Sequence, residues 1–114
     1  MEDRLNKIQS NPASASIYAK LLDLLNKFPE YQAESKKTSL HIINKKAFLG
    51  VHPRKEGLLL NIVLSEPIKS SRIKKTERVS ANRYHNEIEL RSVDELDDEV
   101  AGWIKAAYVR TEAS

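Results

Sequence analysis

Apolar residues change their spacing along this chain, and the changes mark out its elements. Ile17, Leu21, Leu24, Leu25 and Phe28 recur at helical intervals behind Asn11-Pro12. Asn is a good helix cap, and Pro suits the first helical position, where its missing N–H costs nothing. Pro29 stops the pattern, so the spacing predicts a helix over residues 12–27. A shorter helix over residues 2–10 would bury only Leu5 and Ile8.

The period then shortens to two. Leu40, Ile42 and Ile43 form a β-branched stretch, and Ala47-Phe48-Leu49-Gly50-Val51 forms a second apolar run. Asn44-Lys45-Lys46 between them reads as a tight turn. His52-Pro53-Arg54-Lys55-Glu56-Gly57 has turn composition, and Leu58 to Leu64 follows as a near-continuous apolar strand. Such a run suggests a central strand covered on both faces. Residues 65–83 are polar and basic, which predicts a long loop with at most a short strand near Val79. Tyr84, Asn86, Ile88 and Leu90 then alternate with His85, Glu87, Glu89 and Arg91, the mark of a half-buried strand.

Ser92-Val93-Asp94-Glu95 matches a capping box. Behind it Val93, Leu96, Val100, Trp103, Ile104, Ala107 and Tyr108 make an apolar stripe, predicting a helix over 93–111. Five acids crowd its start and Lys105 and Arg110 lie toward its end, the polarity a helix dipole favours. The expected fold is a single α+β domain over residues 1–114. It has a helical part over 1–30, antiparallel strands over 34–91 with the loop at 65–83, and a C-terminal helix over 92–112. Four or five strands form the sheet, with both helices packed on it. Gly102 is expected to allow close helix–sheet packing.

The stretch from His41 to Tyr108 resembles a small bacterial domain family. The resemblance rests on Phe48 and Val51 before Pro53-Arg54-Lys55, then on Gly57-Leu58-Leu59-Leu60. It continues through Tyr84-His85, Ile88-Glu89-Leu90 and Ser92-Val93-Asp94-Glu95-Leu96-Asp97. It closes on Trp103-Ile104-Lys105-Ala106-Ala107-Tyr108. Members carry the label domain of unknown function or, loosely, "predicted transport protein", and some are fused to nuclease-like modules. The resemblance implies an accessory or binding role and assigns no functional residue.

Composition narrows the chemistry. The 114 residues include no cysteine, which excludes disulfides, thiol catalysis and cysteine-based metal sites. No apolar run approaches the roughly 18 residues of a membrane span. The N-terminus lacks a basic-then-apolar signal pattern, so a cytoplasmic protein is expected. The net charge is +3, but residues 31–91 carry +7 and residues 92–114 carry −4.

No catalytic or cofactor motif accompanies that charge. There is no Gly-x-Ser-x-Gly elbow and no Gly-rich phosphate loop. Glu34-Ser35-Lys36 fits half of a nuclease pattern, but its upstream partner Asp23 falls in a helix. His41, His52 and His85 sit on separate elements without metal-ligand spacing, so no metal or other cofactor is expected. The acidic run at 94–99 lacks a calcium-loop glycine and reads as helix-start stabilisation. An enzyme is the less favoured reading.

The basic positions remain as candidates. Lys36, Lys37, Lys45, Lys46, Arg54 and Lys55 fall at strand ends and turns, and Arg72, Arg78 and Arg83 fall in the loop. Together with His85 they are the expected contacts for an anionic partner, nucleic acid among the candidates. Tyr31 and Tyr84 are the aromatic residues placed to stack on bases. Two alternatives stand beside this. The apolar strand 58–64 would suit a protein partner or a homodimer if the helices cover one face only. A small-ligand or enzyme pocket between sheet and helices would use Arg83, Tyr84 and His85.

Overall fold

The computed structural model describes residues 8, 10–37 and 39–112. The expected helix over 2–10 lies outside them, apart from Ile8, which is buried in the core, and Ser10. Helix α1 spans Pro12–Leu25. The Asn11 side chain caps it, accepting from the Ala13 N–H at 2.9 Å, and Pro12 takes the first turn. The helix ends at Leu25, two residues before the expected limit, with Asn26 as its C-terminal cap.

Among the described residues the sheet has six strands, where four or five were expected. They are β1 (Gln32–Ser35), β2 (Leu40–Ile43), β3 (Ala47–Arg54), β4 (Gly57–Leu64), β5 (Lys75–Ser80) and β6 (Arg83–Leu90). Every pairing is antiparallel, and the spatial order is β1-β2-β3-β4-β6-β5. The two strands that carry no apolar pattern are the edges: β1, and β5, which is longer than the short strand expected near Val79. Both are polar and exposed along their whole length, so they lack the apolar alternation that would reveal them. The loop therefore shrinks to residues 65–74. It is pinned by the buried Asn86, which accepts from the Ile68 N–H at 2.9 Å and the Thr76 hydroxyl at 3.1 Å.

His52 and Pro53 belong to β3, and the turn is Lys55-Glu56 alone. Pro53 is tolerated because β3 outruns β2, whose last partner is Val51, so at Pro53 only β4 pairs with it. The following Gly57 is required. A Cβ there would stand 1.9 Å from the Leu90 carbonyl oxygen.

The C-terminal helix starts later than the capping box suggested. Val93–Glu95 is a 3₁₀ turn, and helix α2 spans Asp98–Glu112. The Ser92 side chain makes no capping bond. Asp97 takes that role, its carboxylate accepting from the Val100 N–H at 3.2 Å. The apolar stripe is nevertheless buried: Leu96, Val100, Ile104, Ala107 and Tyr108 are in the core, while Val93 is exposed.

Both helices pack on one face of the sheet, over β3 and β4. On β4 the alternate residues Leu58, Leu60 and Ile62 join that core. Phe28, Phe48 and Tyr108 close its β1 end, with Phe28 and Tyr108 stacked at 4.3 Å and Phe48 edge-on to Tyr108 at 5.3 Å. The Tyr108 hydroxyl donates to the Glu30 carbonyl at 2.9 Å and so fastens the α1–β1 connection to α2.

Gly102 does not serve close packing. It is exposed on α2, and a Cβ there would meet nothing within 4 Å. The two glycines should respond oppositely to alanine. Gly57→Ala is expected to lose about 2 kcal/mol or more in urea unfolding, because backbone must move. Gly102→Ala is expected to gain up to about 1 kcal/mol, the helix-propensity difference at an open position.

Candidate anion-binding face of the sheet

With the helices on one side, every second strand residue faces the other. On β4 these are Leu59, Asn61 and Val63. Their cross-strand neighbours complete the outer face. His52 and Glu89 flank Leu59, Gly50 and Glu87 flank Asn61, and His85 adjoins Val63. His41 lies beyond Gly50, with Glu34 beyond it on β1. The three histidines, far apart in the chain and on different strands, thus come to one surface.

Gly50 lies at the middle of this arrangement. An added Cβ would stand 3.3 Å from the Asn61 Cβ and 3.5 Å from His52 Nε2. A glycine within a strand often marks a close approach by another group. Here it leaves a hollow of about 220 Å³ lined by Ser39, His41, His52, Asn61, Arg83 and His85 together with apolar residues. No residue lining it is acidic. A second hollow of about 380 Å³ shares Ala47 and Arg83 with the first and adds Lys46 and Arg110. Arg110 is held there by donating to the Asn82 carbonyl at 2.8 Å.

Three buried polar atoms in the first hollow have no hydrogen-bond partner among the described residues: Asn61 Oδ1, Arg83 Nε and His85 Nε2. The Asn61 amide meets His85 Nδ1 at 3.2 Å. Buried groups without partners are rare because each loses its water without compensation. Their coincidence in one hollow makes it the candidate site of this face.

Electrostatics agree. Burial holds His41 below its ordinary pKa of 6.5, Lys36 and Arg83 push the same way, and Glu34 opposes them. His85 is likewise lowered by burial first, then by Arg83 and His41, against Glu77 and Glu87. Both rings are therefore neutral at neutral pH, and the nearby guanidinium makes the hollow unfavourable for a cation. Among the described residues no group of three His, Cys, Asp or Glu side chains could hold a metal ion.

The expected basic contacts do not gather on one surface. Consecutive turns of an antiparallel sheet alternate between its ends. Lys36, Lys37, Arg54 and Lys55 therefore lie at one end, and Lys45 and Lys46 at the other, beside Arg83. Lys36 pairs with Glu34. Arg72 lies on the helix side, where it binds Asp97 at 3.0 Å, Glu99 at 3.0 Å and the Glu95 carbonyl at 2.8 Å. Arg78 is opposite Tyr84 on the edge strand, out of phase with His85, and donates to the Ser80 carbonyl. Of the expected contacts only Arg83 and His85 enter the central hollow, and Lys46 borders the adjoining one. Tyr84 points to the other face by strand alternation, so it leaves the group in which it was expected. Asp23 is on α1 and Glu34 on β1, so the half-pattern of a nuclease is not completed.

Sequence reasoning did not select His41, His52, Gly50 or Asn61 as binding residues. Their signal was present in part: His41 lies between the core residues Leu40 and Ile42, and Gly50 interrupts an apolar strand. What places them together is the pairing register.

Among the described residues the architecture is that of a small α+β domain with helices α1 and α2 on one face of an antiparallel sheet and a polar hollow on the other. The chain belongs to the family described as a domain of unknown function (DUF5655), whose model matches residues 3–111. No curated protein and no solved structure matches it. No helix among the described residues is long and apolar enough to cross a membrane.

The histidine shifts predict how stability depends on pH. Rings whose folded pKa is lowered bind protons less readily than in the unfolded chain. Stability is then full above pH 6.5, the ordinary value, and falls as pH drops from there through the lowered folded values. Urea unfolding at about pH 7.5 and about pH 5.5 should show this loss. The His85→Gln variant should show a shallower one.

Proposed function

We propose that the chain is a non-catalytic binding module that holds an anionic partner against the outer face of its sheet, with nucleic acid the leading candidate. The observation that supports this reading is the acid-free hollow in which Arg83, His85 and Asn61 present polar atoms without partners. Lys46 and Arg110 extend the positive character along the same edge of the molecule, so a chain of phosphates could run from one hollow to the next. The expected basic surface becomes narrower in this reading. It uses Arg83, His85 and Lys46 and leaves Arg72 to bind the start of α2.

Self-association through strand 58–64 finds less support. Its motive was an apolar outer face, but Leu59 and Val63 are only 3% and 4% exposed within the single chain. A ligand pocket between sheet and helices also lacks support, since the residues packed there are fully buried.

Fluorescence anisotropy with short single- and double-stranded oligonucleotides tests the proposal. At about 50 mM salt the Kd should lie below about 100 µM and weaken as salt rises. Arg83→Ala should weaken binding about tenfold, the effect of losing one charged hydrogen bond. Lys105→Ala, an equal charge change on the exposed side of α2, should have little effect. Absence of binding, or binding indifferent to Arg83→Ala and Lys46→Ala alike, would overturn the reading.

A further inference from the structure

We infer that the hollow over Gly50 takes one tetrahedral oxyanion, a phosphate or sulfate group, on Arg83 Nε, His85 Nε2 and the Asn61 side-chain amide, and that binding brings one proton onto His85. The inference rests on the anion-binding reading of this face and specifies its chemistry.

The hydrogen-bond inventory leads to it. Asn61 Nδ2 lies 3.2 Å from His85 Nδ1. If the amide donates, Nδ1 accepts, and the neutral ring carries its proton on Nε2. The hollow then receives two donors, Arg83 Nε–H and His85 Nε2–H, and one acceptor, Asn61 Oδ1. The acceptor is wrong for an anion. A half-turn of the amide and one proton on Nδ1 correct this together. Nδ1–H then donates to Oδ1, and the amide N–H replaces the oxygen at the hollow. Three N–H donors from two neighbouring strands now converge. A tetrahedral oxyanion can accept all three, each donor meeting a different oxygen.

Charge explains why the proton arrives with the anion. His85 is surrounded by Arg83 on its own strand, His41 on β2 and His52 on β3, all basic groups. Glu87 on β6 and Glu77 on β5 oppose them from outside the hollow. The neighbouring strand β4 contributes Asn61 and Val63, which carry no charge. A bound anion supplies the counter-charge that the lining lacks, and so favours the imidazolium. Gly50 supplies the room, since any larger residue would place a Cβ between Asn61 and His52.

The test is an NMR titration of the full chain with sulfate and, separately, with dimethyl phosphate, at about pH 7.5 and about pH 5.5. Neither probe changes its own charge in this range. The two arms separate a free dianion from a backbone-type diester as the source of the oxyanion. Side-chain resonances of Arg83, Asn61 and His85 should shift saturably with at least one probe. Above the folded pKa of His85 the Kd should rise by up to about tenfold for each pH unit upward, so binding is tighter at about pH 5.5 than at about pH 7.5, as uptake of one proton requires. His85→Gln should bind weakly with no such pH response, and Gly50→Ala should weaken binding with every donor retained. The ¹⁵N shifts of the native His85 ring report its protonation directly, so the result does not depend on either variant folding.

Affinity that is constant with pH, a pH response that survives His85→Gln, or shifts confined to other residues would overturn the inference. If oligonucleotides bind through Arg83 while neither small anion binds, the inference falls and the broader reading stands. If the small anions bind as described while oligonucleotides do not, the inference holds and nucleic acid is removed as the partner.

Discussion

Two helices can hide one face of a six-stranded sheet, and each helix here has a single apolar stripe to bury. Strands lie about 4.8 Å apart and helices are about 10 Å across, so α1 and α2 side by side span the central strands on one face only. Leu58, Leu60 and Ile62 on β4 make the contact on the sheet side. The consequences reach the opposite surface. With α1 and α2 both on the inner side, the outer face is polar or shields its own apolar residues. It does both, since Leu59 and Val63 are buried among the histidines, Asn61 and the glutamates.

Polar groups in the interior are used differently on the two sides. On the helix side, Asn86 is fully buried and satisfied, donating to the Ile62 carbonyl while accepting from Ile68 and Thr76. It holds the 65–74 segment against the sheet, and Arg72 in that segment clamps the entry to α2. That clamp helps keep the Asp97 carboxyl below its ordinary range, after the larger effect of the Val100 N–H. On the outer side, Asn61 bonds His85 but retains an unmatched oxygen. The contrast separates a polar residue whose hydrogen bonds organise the fold from one that keeps an unmatched atom in a surface hollow.

The helices and the four inner strands were legible in the sequence because each shows its burial as a period. Stripes of 3.6 marked α1 and α2, and alternation or continuous apolarity marked β2, β3, β4 and β6. The edge strand β1 was not legible and β5 only as a short strand near Val79, because an edge exposed on both faces carries no apolar rhythm. The start of α2 was misplaced for a local reason. Ser92 and Glu95 satisfy a capping pattern, yet a 3₁₀ turn intervenes and Asp97 takes the cap. Arg83 and His85 were recognised as candidates because they share a strand, whereas Asp97 and Arg72 found each other only through the folded loop.

Local spacing by itself determined that this chain has two amphipathic helices around an antiparallel sheet, that its middle is basic, and that it has no cysteine chemistry. Those properties depend on neighbours within a few residues. The tertiary structure alone decided which cations meet. Turns that are consecutive in sequence fall at opposite ends of the sheet, so the lysines separate. The pairing register, in contrast, sets His41, Gly50, Asn61 and His85 on adjoining strands although up to 44 positions separate them in sequence. Register arises from the burial of the opposite face, and a slip of one residue would turn this entire group inward.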